Sequence, residues 1–255
     1  MLITVEGIVI GRRTIGEANC FIDILTKEYG VIEVTAHGVN KINSKNMSAT
    51  SLFSYAVFCL SKNGTKYALN SSQPKYSFYN ISQSIENLAL ASYFAEIVKF
   101  SSASEQPDEN ALRFFAITLY ELEKSNIPAE QIKAVFELRI CAMLGFMPDL
   151  RACRFCACYE SETMFFLDND GVIVCGDCAA ENDEFLRSHE FTKLSPALLY
   201  AMRYCIFTEL DRTYKFTLTA DLIKVLSMIS ERYILSQMNR SFRSLEYYKQ
   251  LSFEL

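Results

Sequence analysis

Cys153-Arg-Phe-Cys156 and Cys175-Gly-Asp-Cys178 form two C-x-x-C pairs, separated by eighteen residues, in a chain of 255. Each such turn presents two thiolates to one edge of a tetrahedron, so this spacing is that of a four-cysteine zinc site. The chain between the pairs can bring them together. Met164-Phe-Phe-Leu167 and Val172-Ile-Val174 read as strands, and Asp168-Asn-Asp-Gly171 between them reads as a turn. The expectation is a zinc-ribbon hairpin holding one Zn2+. Four protein thiolates leave no position for water, so the ion would be structural rather than catalytic. Two redox-active pairs are the competing reading, but thioredoxin-like chemistry wants a βαβ context, which the pattern lacks. Cys158 offers a spare ligand.

Cysteine usage also bears on the compartment. The total of nine is odd, and Met1-Leu-Ile-Thr-Val-Glu6 lacks the basic start and apolar block of a signal peptide. The apolar runs fall short of the roughly 18–20 residues that span a bilayer. A soluble intracellular protein without a disulfide framework is expected. Cys20, Cys59, Cys141 and Cys205 sit in apolar surroundings and read as small buried hydrophobes.

Two periodicities divide the chain near Asn80. Before it, Leu2 to Ile10, Cys20 to Leu25, Val31 to Thr35, Phe53 to Leu60 and Tyr67 to Ser71 are β-branched or alternating. Asn63-Gly64 predicts a type I′ hairpin turn. Five strands in some 75 residues suit a small closed barrel, either an OB-fold or an SH3-like barrel. After Asn80 the apolar period becomes helical, as in Leu90, Tyr93, Phe94 and Ile97, and again in Ile132, Val135, Phe136 and Ile140. Ser195-Pro196 predicts an N-cap with proline at the first helical position, and Leu222 to Tyr233 a last long helix. The polar stretch from Ser101 to Glu109 is expected to be a helix–helix loop. The fold class is α+β: a barrel over residues 1–80, then a helical domain over 81–255 carrying the cysteine hairpin at 149–180.

Charge follows the same division. Residues 1–80 hold 8 Lys and Arg against 5 Asp and Glu, whereas the remainder holds 17 against 25. No acid occurs from Val34 to Ile85. This asymmetry points to an anionic partner for the barrel. Single-strand-binding barrels combine cations along the phosphates with aromatics under the bases. Arg12, Arg13, Lys41, Lys45, Lys62 and Lys66 are the candidates, with Phe21, Tyr55, Phe58, Tyr67 and Tyr76 as aromatics. Lysines in loops also serve as plain solvated surface, and barrel aromatics also fill cores. No phosphate-binding glycine loop is present, and two histidines, His37 and His189, exclude an H-E-x-x-H metalloprotease.

Several short motifs resemble the RecO family of bacterial recombination mediators. Glu6-Gly-Ile-Val-Ile10, Gly16-Glu17, Leu25-Thr-Lys-Glu28 with Gly30, and Ala36-His-Gly38 are similar to its N-terminal signature. Phe136-Glu-Leu-Arg139 and Leu144-Gly-Phe-Met-Pro-Asp-Leu150 resemble its helix leading into the zinc hairpin, and Arg240-Ser-Phe-Arg-Ser244 its ending. Ala157 stands where that family often has Gly. The resemblance implies an N-terminal OB-fold, a helical C-terminal domain and a non-enzymatic role in DNA repair, in the bacterial cytoplasm at the nucleoid. It implies binding of single- and double-stranded DNA, annealing of complementary strands, and loading of RecA onto strands coated with single-strand-binding protein (SSB), together with RecR. It places DNA contacts at the six basic residues above and zinc ligands at Cys153, Cys156, Cys175 and Cys178. An acidic SSB tail would dock at an Arg beside an apolar groove, with Arg139, Arg203 and Arg212 as candidates. A zinc-ribbon protein–protein adaptor without DNA binding, and a zinc-thiolate redox sensor, remain the rival classes.

Overall fold

The computed structural model describes residues 1–102, 106–182, 184 and 187–253. The first eighty residues form five strands: β1 (Leu2–Ile15), β2 (Asn19–Thr26), β3 (Gly30–Ala36), β4 (Ser54–Asn63) and β5 (Lys66–Ser77). They close into a barrel in the order β1-β2-β3-β5-β4. β1 pairs antiparallel with β2 on one side and β4 on the other, and a short parallel contact, Val34 with Tyr67, joins β3 to β5. This is the OB arrangement. The alternation is visible residue by residue: β4 buries every second side chain from Ser54 to Leu60. Ile3, Val5, Val9, Ile22, Ile24, Val34, Phe58 and Leu60 fill the interior. Each such side chain contributes about 1.5–3 kcal/mol by leaving water.

The β4–β5 turn differs by one residue from the expected one. Asn63 pairs with Lys66, so the two-residue loop is Gly64-Thr65, and only Gly64 has positive φ, at 59°. That is the type II′ pattern, which needs glycine at the first loop position alone.

Among the described residues, helices follow the barrel: α1 (Ile85–Ser101), α2 (Glu109–Lys124), α3 (Ala129–Met143), then, after the cysteine pairs begin, α4 (Gly176–Glu181), α5 (Pro196–Phe207) and α6 (Ala220–Met238). A last helix, α7 (Arg243–Phe253), ends the described chain. Ser84 caps α1 by accepting from the Asn87 amide, and Ser195 caps α5 by accepting from that of Leu198. The expected loop between α1 and α2 lies partly outside the described residues.

Two compact units result. The first comprises Met1–Lys124 with Phe242–Leu255, so the barrel carries α1, α2 and the returning α7. Phe242 meets Tyr93 of α1 edge-on, with ring centroids 5.6 Å apart. The second unit, Ser125–Ser241, packs α3 against α6 and holds a four-stranded sheet. That sheet runs β6-β8-β7-β9, from β6 (Asp149–Cys153), β7 (Met164–Leu167), β8 (Val172–Cys175) and β9 (Phe191–Leu194). Among the described residues, no helix is long and apolar enough to cross a membrane.

Candidate metal centre and nucleic-acid interface

The cysteine centre is built by the β7–β8 hairpin and the ends of two strands. Met164 pairs with Cys175 and Leu167 with Val172, leaving 168–171 as the turn. This register carries Cys175 to the open end of the hairpin, where β6 delivers Cys153 alongside β8. The four Sγ atoms of Cys153, Cys156, Cys175 and Cys178 lie within 4.8 Å of one another. Cys156 and Cys175 are 3.6 Å apart at sulfur. A tetrahedron with metal–sulfur bonds of about 2.3 Å has sulfurs roughly 3.8 Å apart, so the four fit one ion of zinc's size and preference. Cys153, Cys175 and Cys178 are buried; Cys156 is exposed.

The backbone is arranged for thiolates rather than thiols. The Cys175 amide donates to Cys153 Sγ at 3.3 Å. Burial alone would push the Cys153 thiol up, but amide donation from Cys156, Cys175 and Phe155 outweighs it and brings the thiol down to about 6. The Cys158 amide holds Cys156 below the ordinary range, whereas hydrogen bonding to Cys156 and burial push Cys178 up. Such a cluster, with some thiols ready to ionise and another holding its proton, is one whose protons a divalent cation displaces. Cys158 lies outside the set of four, and its carbonyl accepts from the Cys153 amide at 2.8 Å.

Three devices that sequence reasoning missed hold this hairpin in place. Arg203 on α5 is buried and donates to the carbonyls of Leu150 (2.8 Å), Arg151 (3.1 Å) and Tyr159 (2.7 Å). Its guanidinium also covers the Tyr159 ring at 3.9 Å. Asp168, fully buried at the hairpin turn, pairs with Arg232 of α6 at 3.2 Å and accepts from Thr192 of β9. Gly171 comes so close to Tyr233 that a Cβ there would meet the ring at 2.6–2.9 Å. Arg203 therefore ties the hairpin to α5, and it also lines a 450 Å³ cavity with Met164, Pro196, Leu199 and Tyr200. Arg139 likewise donates to main-chain carbonyls, those of Cys205 and Ile206. The basic residue type was legible in each case, but its carbonyl partners are distant in sequence.

The six basic barrel residues divide by environment. Arg13 on β1 forms an ion pair with Glu33 of β3, and its guanidinium lies 5.5 Å from the Phe21 ring centroid. Arg12 donates to Asn40. Lys62 stands over two rings, Tyr29 at 5.0 Å and Tyr67 at 5.1 Å. Lys41 and Lys45 are exposed on the β3–β4 loop, and Lys66 opens β5; among the described residues no carboxylate pairs with these three. The loop is pinned over the barrel by Asn46, whose Oδ1 accepts from the Ser72 amide at 2.9 Å. Lys66 and Phe21 share the lining of a 650 Å³ cavity on the β2–β3 face with Glu33, Thr35 and Lys99. In OB-folds this face and its flanking loops are where oligonucleotides lie. Of the aromatics, Phe58 and Tyr67 are core residues, and Tyr55 is held by Glu6. Tyr76 is exposed, bonded to Glu123.

Comparison with known proteins covers most of the chain. Residues 1–78 fit the family description Recombination protein O N terminal, and residues 82–246 fit Recombination protein O C terminal. The chain belongs to the RecO family of DNA repair proteins. It is 28% identical to the DNA repair protein RecO of Acetivibrio thermocellus over 246 residues, 96% of each chain. The RecO of Alkaliphilus metalliredigens is 28% identical over 253 residues, 98% of this chain and 100% of that one. The RecO of Clostridium perfringens is 28% identical over 252 residues, covering 97% and 98%. The RecO boundary between the two family descriptions, at 78–82, coincides with the end of β5 and the short 3-10 helix Tyr79–Gln83.

Proposed function

We propose that this RecO-family chain is a non-enzymatic recombination mediator. It binds single- and double-stranded DNA, anneals complementary strands and, together with RecR, helps load RecA onto single strands coated with SSB. The observation that carries this reading is the closed OB barrel bearing Lys41, Lys45 and Lys66, with which no carboxylate pairs among the described residues. Within the proposal residues 1–80 are the DNA-binding domain, and Arg12, Arg13 and Lys62 supplement the three lysines. Residues 81–255 are the helical domain, with the cysteine hairpin inserted at 149–180.

Annealing requires that two polyanions approach with their bases free. Cations spread over the barrel lower the phosphate repulsion and release counterions, and no proton or bond needs to be moved. One Zn2+ on Cys153, Cys156, Cys175 and Cys178 would supply cross-linking of the hairpin and no reaction chemistry. The setting is the bacterial cytoplasm at the nucleoid. The test is annealing of two complementary labelled oligonucleotides, followed by energy transfer, with the chain and with its Lys41→Glu, Lys45→Glu double variant. The reading expects accelerated annealing by the chain and loss of that acceleration in the variant, equally for unrelated sequences. Acceleration of the same size by both would take the DNA interface off the barrel lysines.

A further inference from the structure

Cys158 has no part in the tetrahedron, yet it stands beside the most accessible of the four candidate ligands. Cys156 is the exposed member of the set, while the other three are buried. Cys158 is only half-buried and stands two residues along the chain from Cys156. Between Cys156 and Cys158, Ala157 takes the left-handed conformation, φ 59°, which folds the chain back so that the Cys158 carbonyl meets the Cys153 amide. A metal-bound thiolate open to solvent, with a non-ligating thiol two residues away, is the arrangement of an attacking sulfur and its resolving partner.

We propose that Cys156 and Cys158 form an oxidation site for hydrogen peroxide, at which formation of a Cys156–Cys158 disulfide removes one ligand from the metal centre. The proposal rests on the zinc reading above for its metal-release step, though not for the disulfide itself. The Cys156 thiolate attacks the peroxide: an S–O bond forms, the O–O bond breaks, and the departing hydroxide takes a proton to become water. The Cys158 thiol then attacks the sulfenic sulfur. An S–S bond forms, the S–O bond breaks, and a second water leaves with the thiol proton. Two sulfurs lose two electrons and the peroxide gains them. Three thiolates then remain where four closed the tetrahedron, and the hairpin loses its clamp.

Zinc content of the full chain is measured first, by metal analysis, as prepared and as the Cys158→Ser variant. Both are treated with hydrogen peroxide while a chromogenic chelator follows released zinc, and disulfides are mapped by mass spectrometry after blocking free thiols. The expected results are one zinc per chain in each protein, a Cys156–Cys158 disulfide forming with zinc release, and release slowed by about tenfold or more in Cys158→Ser, where Cys156 instead advances to sulfinic acid. Thiol reductant with added zinc should restore the metal. Equal release rates in the two proteins, or a first disulfide joining any other cysteines, would overturn the proposal. A Cys158→Ser chain lacking zinc would also overturn it by making Cys158 a ligand. If the chain as prepared holds no zinc, the zinc reading fails, and the disulfide map decides the Cys156–Cys158 pairing on its own.

Discussion

Ala157 and Gly171 show how single positions carry the cost of the cysteine hairpin. Ala157 sits at φ 59°, a conformation that costs a residue with a Cβ about 1–2 kcal/mol and costs glycine little. Replacing it by Gly should raise stability by about 0.5–1 kcal/mol, the smaller value reflecting the looser unfolded chain, as read by urea denaturation. At Gly171 the sign reverses. Its φ of 67° disfavours any side chain, and a Cβ would strike the Tyr233 ring. Gly171→Ala should therefore destabilise by about 2–3 kcal/mol, since backbone strain and overpacking add. Lys133 is the third case. It is buried between the fully buried Glu137, at 3.1 Å, and Glu231, at 2.8 Å. Lys133→Met leaves Glu137 without its cation and should cost about 3–5 kcal/mol. A Lys133→Met chain as stable as its parent in urea would show that the Ser230 hydroxyl, which donates to Glu137 at 2.6 Å, is sufficient.

At the scale of elements, the zinc reading makes the β7–β8 hairpin and its four clustered cysteines one cooperative piece. Chelating the metal should raise amide exchange across β6 to β9 by orders of magnitude and leave β1 to β5 protected, because the barrel has its own core. Uniform exchange before and after chelation would mean that Arg203 and Asp168 hold the sheet without the ion. The hairpin was legible because two patterns coincide in it, cysteine spacing and strands flanking Asp168-Asn-Asp-Gly171. β6 and β9 were not legible. Each has four or five residues, and β9 buries only Leu194, so no alternation could declare it. α7 was hidden for a related reason: it presents a few apolar residues, such as Leu245 and Tyr248, amid polar ones. The first four barrel strands were readable because each has a buried face, whereas β5 buries only Tyr67 and was read from the turn before it. The turn at Gly64 was displaced by one residue because pairing register, not turn composition, chose which residues lie in the loop.

For the whole molecule, a net charge of −5 conceals a barrel region of opposite sign. On the proposed reading, long-range attraction of DNA is therefore weak and binding depends on a few local cations, which makes it sensitive to single lysines. The four clustered cysteines could be named from sequence because their spacing is itself geometric. The basic residues could be named too, but not ranked: Arg13 pairs with Glu33, whereas among the described residues no carboxylate pairs with Lys41, a difference that arises only when β1 and β3 are brought together through β2. The most direct measurement is fluorescence anisotropy of a labelled single-stranded oligonucleotide titrated at several salt concentrations, with the chain and its Lys41→Gln, Lys45→Gln, Lys66→Gln triple variant. Each phosphate contact on a single strand contributes about 0.7 to the slope of log affinity against log salt, so the variant's slope should be shallower by about 2. Identical slopes, or no binding by the parent chain at about 50 mM salt, where electrostatic contacts are strong, would contradict a barrel built to hold DNA.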